Sequence, residues 1–316
     1  MMCVCMVSGL AETAGAAYKI GVVIPQSGNF AFFSAYFSPI LDIYVKDLNE
    51  AGGINGHPVE LVYKDNQGDA TITAQRLDEL LEENVSAVIG PFMDTCGPAA
   101  AQWATENKIP VVMCCALSTE IGMANQSDYV FCAGSSAWAW AKVFANAVNT
   151  AGYESAYYVG NEGGVPDDVY NFFWEEMKKL NPDVENIGSV RLSGTESDLS
   201  SVIASIMMAD PDVVVTSLTG GGAITFISQA VQFGLYDDSD MYGVYIEGAD
   251  HTESLADSYP CGSIWAIDWF PVNFAATQDW AEEIYNAAGG VIPNGASFNF
   301  YMAAATICEA LKTMDF

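Results

Sequence analysis

The side chains of this chain that could do chemistry are two histidines, eight cysteines, a large excess of carboxylates and one short glycine run. His57 lies in the turn Asn55-Gly56-His57-Pro58, where a solvated imidazole is the plain expectation. His251 follows Glu247 and Asp250, but zinc would need further ligands to converge there, so no metal site is expected. The cysteines are Cys3, Cys5, Cys96, Cys114, Cys115, Cys132, Cys261 and Cys308. No two stand at C-x-x-C spacing, which argues against a zinc or thioredoxin-type site. Cys114-Cys115 end an apolar run and are expected as buried thiols, because a free cysteine packs as a small hydrophobe. There is no Gly-x-Ser-x-Gly elbow, phosphate loop or dinucleotide fingerprint, and no nucleophile–base pair stands out. The reading is therefore no catalytic residue, no cofactor and no enzyme. Two features remain. Gly220-Gly221-Gly222 follows a strand and opens a helix, so its amides could cradle an anion, and a tight strand-to-helix turn accounts for it as readily. Glu247-Gly248 places a carboxylate at a strand end beside a residue that lets backbone approach closely; a structural ion pair is the alternative.

Charge limits the partners. Forty acidic residues face ten basic ones, a net charge of -30. A chain that binds nucleic acid needs a basic face, so nucleic acid is excluded as a partner. A high-salt habitat would screen the repulsion, and lineage bias in surface composition would explain it too. Residues 1–16 read as a truncated export segment: Met1 to Leu10 are apolar or small, Ala14-Gly15-Ala16 offers a cleavage site, and no basic residue precedes Lys19. Cys3 and Cys5 leave lipid anchoring open beside cleavage. No apolar run approaches the roughly 20 residues that span a bilayer.

The elements that must position these residues follow from periodicity. Tyr18 to Ile24 is a β-branched run ending at Pro25, a buried-strand pattern. Phe37, Ile40, Leu41, Tyr44, Val45 and Leu48 mark one face of a helix, which Gly52-Gly53 stops. Strands are predicted at Val59–Tyr63, Val85–Ile89 and Ile109–Met113, with a helix around Leu77, Leu80 and Leu81. The alternation then restarts: helices at 137–148, 169–180, 199–207, 224–233, 280–287 and 301–311, and strands at 156–159, 187–192, 212–217, 241–246 and 263–267. Repeated strand–helix units predict parallel sheets covered by helices on both faces. At roughly 100–200 residues per domain, the length fits two such domains. Ligands of open α/β sheets sit outside the carboxyl ends of the strands. Those ends carry Gln26-Ser27-Gly28-Asn29, Gly90-Pro91, Cys115-Ala116-Leu117-Ser118, Gly160-Asn161 and Thr219-Gly220-Gly221-Gly222.

Ala51-Gly52-Gly53-Ile54-Asn55-Gly56, followed by an alternating strand and Lys64-Asp65-Asn66, resembles the type I periplasmic-binding-protein superfamily. Within it the chain is similar to the branched-chain amino-acid (Leu/Ile/Val) binding proteins of ABC importers. Val88-Ile89-Gly90-Pro91 and Ile109-Pro110-Val111-Val112 fall where that family has its next two strands, and Lys178 to Phe233 resembles a subgroup with a segment like Pro211-Asp212-Val213 before the central strand of domain 2. The resemblance runs from about Ala17 to Phe316. It implies a Venus-flytrap clamp of two doubly wound α/β domains joined by a hinge. Domain 1 would be 17–134 plus 272–316 and domain 2 would be 135–271, and the family's C-terminal crossover, expected after the helix ending at Leu311, would be missing. It implies a non-enzymatic, exported protein at the periplasm or outer face of the membrane. That protein would act as a monomer, capture a small molecule and pass it to ABC permease subunits. The disulfide of some members would fall on Gly68 and Met93, so it cannot form.

Carried over position by position, the resemblance assigns the ligand to Phe33, Asp94 or Thr95, Cys115, Ala116, Leu117, Val165, Thr219 and Glu247. Asp94 and Leu117 stand where the family has hydroxyls, and Val165 and Thr219 where it has aromatics. Glu247 matches the acid that receives the ligand ammonium. Glu247 and Asp94 favour an amine or a rich hydrogen-bond donor: an amino acid, an amide or a related amine-bearing molecule. If a helix starts at Thr95 to Gly97, its amides could hold a carboxylate instead. A ligand-sensing receptor or regulator of the same fold is the alternative function.

Overall fold

The structure is a computed structural model and describes residues 16–28, 31, 34–114, 127–134, 136–243, 255, 260, 262–266, 278–290 and 295–314. Two five-stranded sheets, parallel in every pairing, organise the chain. The first contains β1 (Tyr18–Ile24), β2 (Val59–Asp65), β3 (Ala87–Ile89), β4 (Val111–Met113) and β5 (Val130–Cys132). Its order is β2-β1-β3-β4-β5. The second contains β6 (Ser155–Asn161), β7 (Glu185–Leu192), β8 (Val213–Ser217), β9 (Asp240–Gly243) and β10 (Ile264–Ala266). Its order, β10-β9-β8-β6-β7, repeats the same winding. This is the two-domain α/β architecture that the alternating periodicity predicts.

Parallel strands need helical crossovers, and these cover both faces of each sheet. The helices are α1 (Ser34–Glu50), α2 (Ala70–Glu82), α3 (Gly97–Asn107), α4 (Ala137–Ala151), α5 (Gly164–Leu180), α6 (Ser200–Ala209), α7 (Gly220–Phe233), α8 (Gln278–Ala287) and α9 (Gly295–Leu311). Successive residues of a strand point to opposite faces, so β1 feeds two cores. Ile20, Val22 and Ile24 meet Phe37, Ile40 and Leu41 of α1 and Phe300, Ala303 and Ile307 of α9. Val23 points the other way, to Leu77 and Leu80 of α2 and Trp103 of α3. In the second sheet Tyr158, Val213 and Val215 pack on α4 and α5, and Val159 and Val214 on α6 and α7. Each fully buried Leu, Ile or Phe contributes about 1.5–3 kcal/mol relative to an exposed one. The chain thus leaves the first sheet after β5, and its last two helices pack back on the first core through Ile284 and the buried face of α9.

Two elements escape periodicity. Helix α3 buries Ala100, Ala101 and Ala104, and methyl groups raise no apolar stripe against an alanine background. Strand β5 is three residues long, half-buried to exposed, at the sheet edge. Helices α5, α7 and α9 begin earlier than predicted, at Gly164, Gly220 and Gly295, because their first turns carry glycine and proline where the stripe should be.

Candidate functional site

The strand orders decide which loops converge. In each sheet the winding reverses beside the first strand of its own series, between β1 and β3 in one and between β6 and β8 in the other. The crevice at such a reversal, outside the carboxyl ends, is where open sheets bind ligands. The loops after β1 and β3 therefore form one half of a candidate site, and those after β6 and β8 form the other.

In the first half, Asp65 at the end of β2 holds the β1–α1 loop. Its Oδ1 accepts from the amides of Gln26 (2.8 Å), Ser27 (3.2 Å) and Gln67 (3.0 Å). Its Oδ2 accepts from Ser27 Oγ at 2.5 Å. Burial pushes the Asp65 carboxyl up, but the bonds from Ser27, Gln67 and Gln26 outweigh it and leave the carboxyl below its ordinary value. The chain leaves β3 through Gly90, whose φ of +95° and close approach to Val23 exclude a side chain: a Cβ would lie 2.4 Å from the Val23 carbonyl oxygen. Phe92 then docks on Phe37, ring centroids 4.7 Å apart, and Phe37 stacks on Phe300 at 4.1 Å. Buried Asn66 donates to Thr73 Oγ1 (3.0 Å) and contacts Cys96 Sγ (4.0 Å), which supports the turn from below.

That turn carries two predicted residues. Asp94 is half-buried and opens a 3-10 turn, Asp94–Cys96, that runs into α3; Thr95 is exposed. Asp94 Oδ1 accepts from the Thr95 amide at 2.8 Å. Burial pushes the Asp94 carboxyl up, and the Thr95 amide only partly offsets this. The Cys96 amide donates to the Met93 carbonyl (3.0 Å) and the Gly97 amide to the Asp94 carbonyl. The expectation that the amides of Thr95 to Gly97 are open to a ligand carboxylate is therefore corrected: all three already have acceptors.

In the second half, Asn161 at the end of β6 ties two loops together. Its Oδ1 accepts from the Thr219 amide at 3.0 Å and lies 3.4 Å from Thr219 Oγ1. Thr219 is exposed and precedes α7 without a side-chain cap, and Gly163 precedes α5 in the same way. Val165, by contrast, is 8% exposed and packs in the core beside Tyr158 and Phe173. The first turn of α5 turns its side chain inward, away from the loop surface. Phe33, Cys115, Ala116, Leu117, Glu247 and His251 lie outside the described residues. Cys114 is fully buried, and Cys115 is not described.

Every cation of the chain can be placed, because all ten basic residues are described. None lies on the loops after β1, β3, β6 or β8. Three lie near carboxyl ends, and each is engaged. Lys64 pairs with Glu83 (2.9 Å) and Glu79 (3.3 Å), and Arg76 pairs with Glu79. Arg191 Nε donates to Asp167 at 2.7 Å, with its guanidinium over the Tyr158 and Tyr170 rings at 4.7 and 4.9 Å. Among the described residues no group of three or more histidine, cysteine or acidic side chains is arranged to hold a metal ion. Asp65 and Asn161, the two residues that tie the loops, had no assigned role in the sequence. Their only signals are their places within Lys64-Asp65-Asn66 and Gly160-Asn161.

The comparisons agree with this fold. A family model described as "Periplasmic binding protein" matches residues 17–315. The chain is 26% identical over 327 residues to Leu/Ile/Val-binding protein homolog 7 of Brucella abortus, covering 96% of this chain and 78% of that one. Among solved structures it resembles the branched-chain amino-acid substrate-binding protein LivJ of Streptococcus pneumoniae, in complex with isoleucine. There the TM-score is 0.83 with 20% identity, covering 95% of this chain and 85% of that one. It also resembles an ABC-transporter solute-binding protein of R. palustris in complex with benzoate, with a TM-score of 0.79 and 19% identity, covering 94% and 81%.

Proposed function

Since this chain belongs to the periplasmic binding protein family, in its Leu/Ile/Val-type branch, we propose that it captures a small amino acid, amide or amine-bearing solute between two α/β halves and delivers it to an ABC importer. The halves are residues 17–134 with 272–316, and residues 135–271. The observation that carries the reading is the matched pair of winding reversals, in which Asp65 holds the loop after β1 and Asn161, at the end of β6, holds Thr219 after β8. Pinned loops suit capture, because a site ordered in advance loses less entropy on binding. Closure of the halves would dry the solute and strengthen each polar contact to it. The protein then acts as an exported monomer whose partners are the solute and the membrane permease. No helix among the described residues is long and apolar enough to cross a membrane.

Glu247, four residues beyond β9 in sequence, is the main polar anchor of the solute in this reading, and the resemblance supplies Phe33, Asp94 or Thr95, Cys115, Ala116, Leu117 and Thr219 as the rest of the ligand set. A charge-assisted hydrogen bond is worth about 1.5–3 kcal/mol, so Glu247→Gln should weaken binding roughly ten- to a hundredfold. The test is a thermal-shift screen of amino acids, amides, polyamines and aromatic acids, followed by calorimetry of the strongest hit on the parent and Glu247→Gln. Equal affinity removes Glu247 as the anchor. A chain that no solute stabilises, or that turns a solute over, removes the proposed function.

A further inference from the structure

The turn that ends at α3 is already occupied by a carboxylate of its own. A helix start ordinarily leaves amide donors unpaired, and such donors are what a bound anion uses. Here the Thr95 amide is taken by Asp94 Oδ1 at 2.8 Å, the Cys96 amide by the Met93 carbonyl and the Gly97 amide by the Asp94 carbonyl. Pro98, the next residue, has no amide donor. The turn thus presents a negative side chain where a neutral start would present donors. No lysine or arginine offsets it: all ten are described, and none pairs with Asp94. Asp94 also stands at the loop after β3, beside the winding reversal, on a backbone fixed by Gly90 and by the Phe92, Phe37 and Phe300 rings.

We infer that Asp94 determines specificity: it reserves the first half of the site for a hydrogen-bond donor of the solute, an ammonium or a carboxamide N–H, and turns away a carboxylate at that position. The inference rests on the proposed solute-binding function and narrows its ligand class. Two oxyanions brought together without a cation or proton repel strongly in a dry cleft, whereas an ammonium there gains a charge-assisted bond. Selectivity of this kind comes from the repulsive element as much as from the attractive one.

The experiment compares matched solutes on one skeleton by calorimetry: isoleucine against isoleucinamide, and benzoate against benzamide and benzylamine. It uses the parent, Asp94→Ser and Asp94→Asn. Serine removes the charge and frees the Thr95 amide. Asparagine keeps the shape and, through Oδ1, the acceptor for Thr95, while it removes the charge and turns the second oxygen into an NH2 donor, so it reports even if the serine variant folds poorly. The parent should prefer the amide or amine to the matching carboxylate by at least about tenfold. Asp94→Ser should move that ratio at least about tenfold toward the carboxylate, and Asp94→Asn should weaken amine binding by a similar factor. A parent that prefers carboxylates, or variants that leave the ratio unchanged, overturns the role of Asp94 while solute binding stands. Silence across every pair, in parent and variants alike, overturns the solute-binding reading for this class and the inference with it.

Discussion

Removing the Asp65 carboxylate isolates the contribution of one side chain to the order of the site. Asp65→Ala deletes four hydrogen bonds that tie Gln26, Ser27 and Gln67 to the end of β2. Bonds to a charged acceptor are worth about 1.5–3 kcal/mol each when dry. These are reached by water, so screening and replacement by solvent bring each down to roughly 0.5–1 kcal/mol. The sum is about 2–4 kcal/mol, felt first by the loop and only partly by the whole fold. At about 1.4 kcal/mol per decade, amide exchange at Gln26 and Ser27 should accelerate roughly thirty- to several-hundredfold. The measurement is hydrogen exchange of the two proteins, with urea unfolding beside it to separate loop opening from global loss. Acid supplies an internal control. The folded carboxyl sits below its unfolded value of 3.8, so its contribution is present above that value and is lost as pH falls through the folded one. The difference between parent and variant should therefore be full near neutrality and shrink in strong acid. Unchanged exchange at Gln26 and Ser27 near neutral pH would refute the claim that Asp65 orders this loop.

The other expectations test the supports of the same site. Gly90→Ala places a Cβ 2.4 Å from the Val23 carbonyl at a φ of +95°, so unfolding titrations should show a loss of about 3 kcal/mol or more; a loss under about 1 kcal/mol would mean the β3 exit relaxes freely. Burial pushes the thiols of Cys96, Cys114 and Cys308 up, the last to about 11. A thiol reagent near neutral pH should label these three at least about a hundredfold more slowly in native than in unfolded protein, and fast native labelling of Cys114 would contradict its burial.

What the sequence made legible, and what it hid, divides along a physical line. Strand and helix alternate in the apolar pattern of each short segment, so the class of fold can be read one segment at a time. The glycine motif at residues 52–56 is equally local. Gly53 has a φ of +70°, and a Cβ there would lie 2.1 Å from the His57 carbonyl oxygen. Ile54 and His57 exchange backbone bonds of 2.8 and 2.9 Å, and Ile54 is fully buried. This motif carries much of the resemblance, yet it is a clasp between α1 and β2 at the amino ends of the strands. It therefore identifies the fold and is silent about the ligand. The site depends on a quantity that no window of sequence contains, the order of strands across each sheet. That order brings the loop after β3 beside the loop after β1, and Thr219 beside Asn161. Val165 shows the same limit from the other side: its place in the chain matches a loop position, while the phase of α5 buries it beside Phe173. Asp94 falls between the two cases. Its position could be carried over from a resemblance, but its effect comes from accepting the amide of its own neighbour, and only coordinates show that the carboxylate has closed the seat it was expected to leave open.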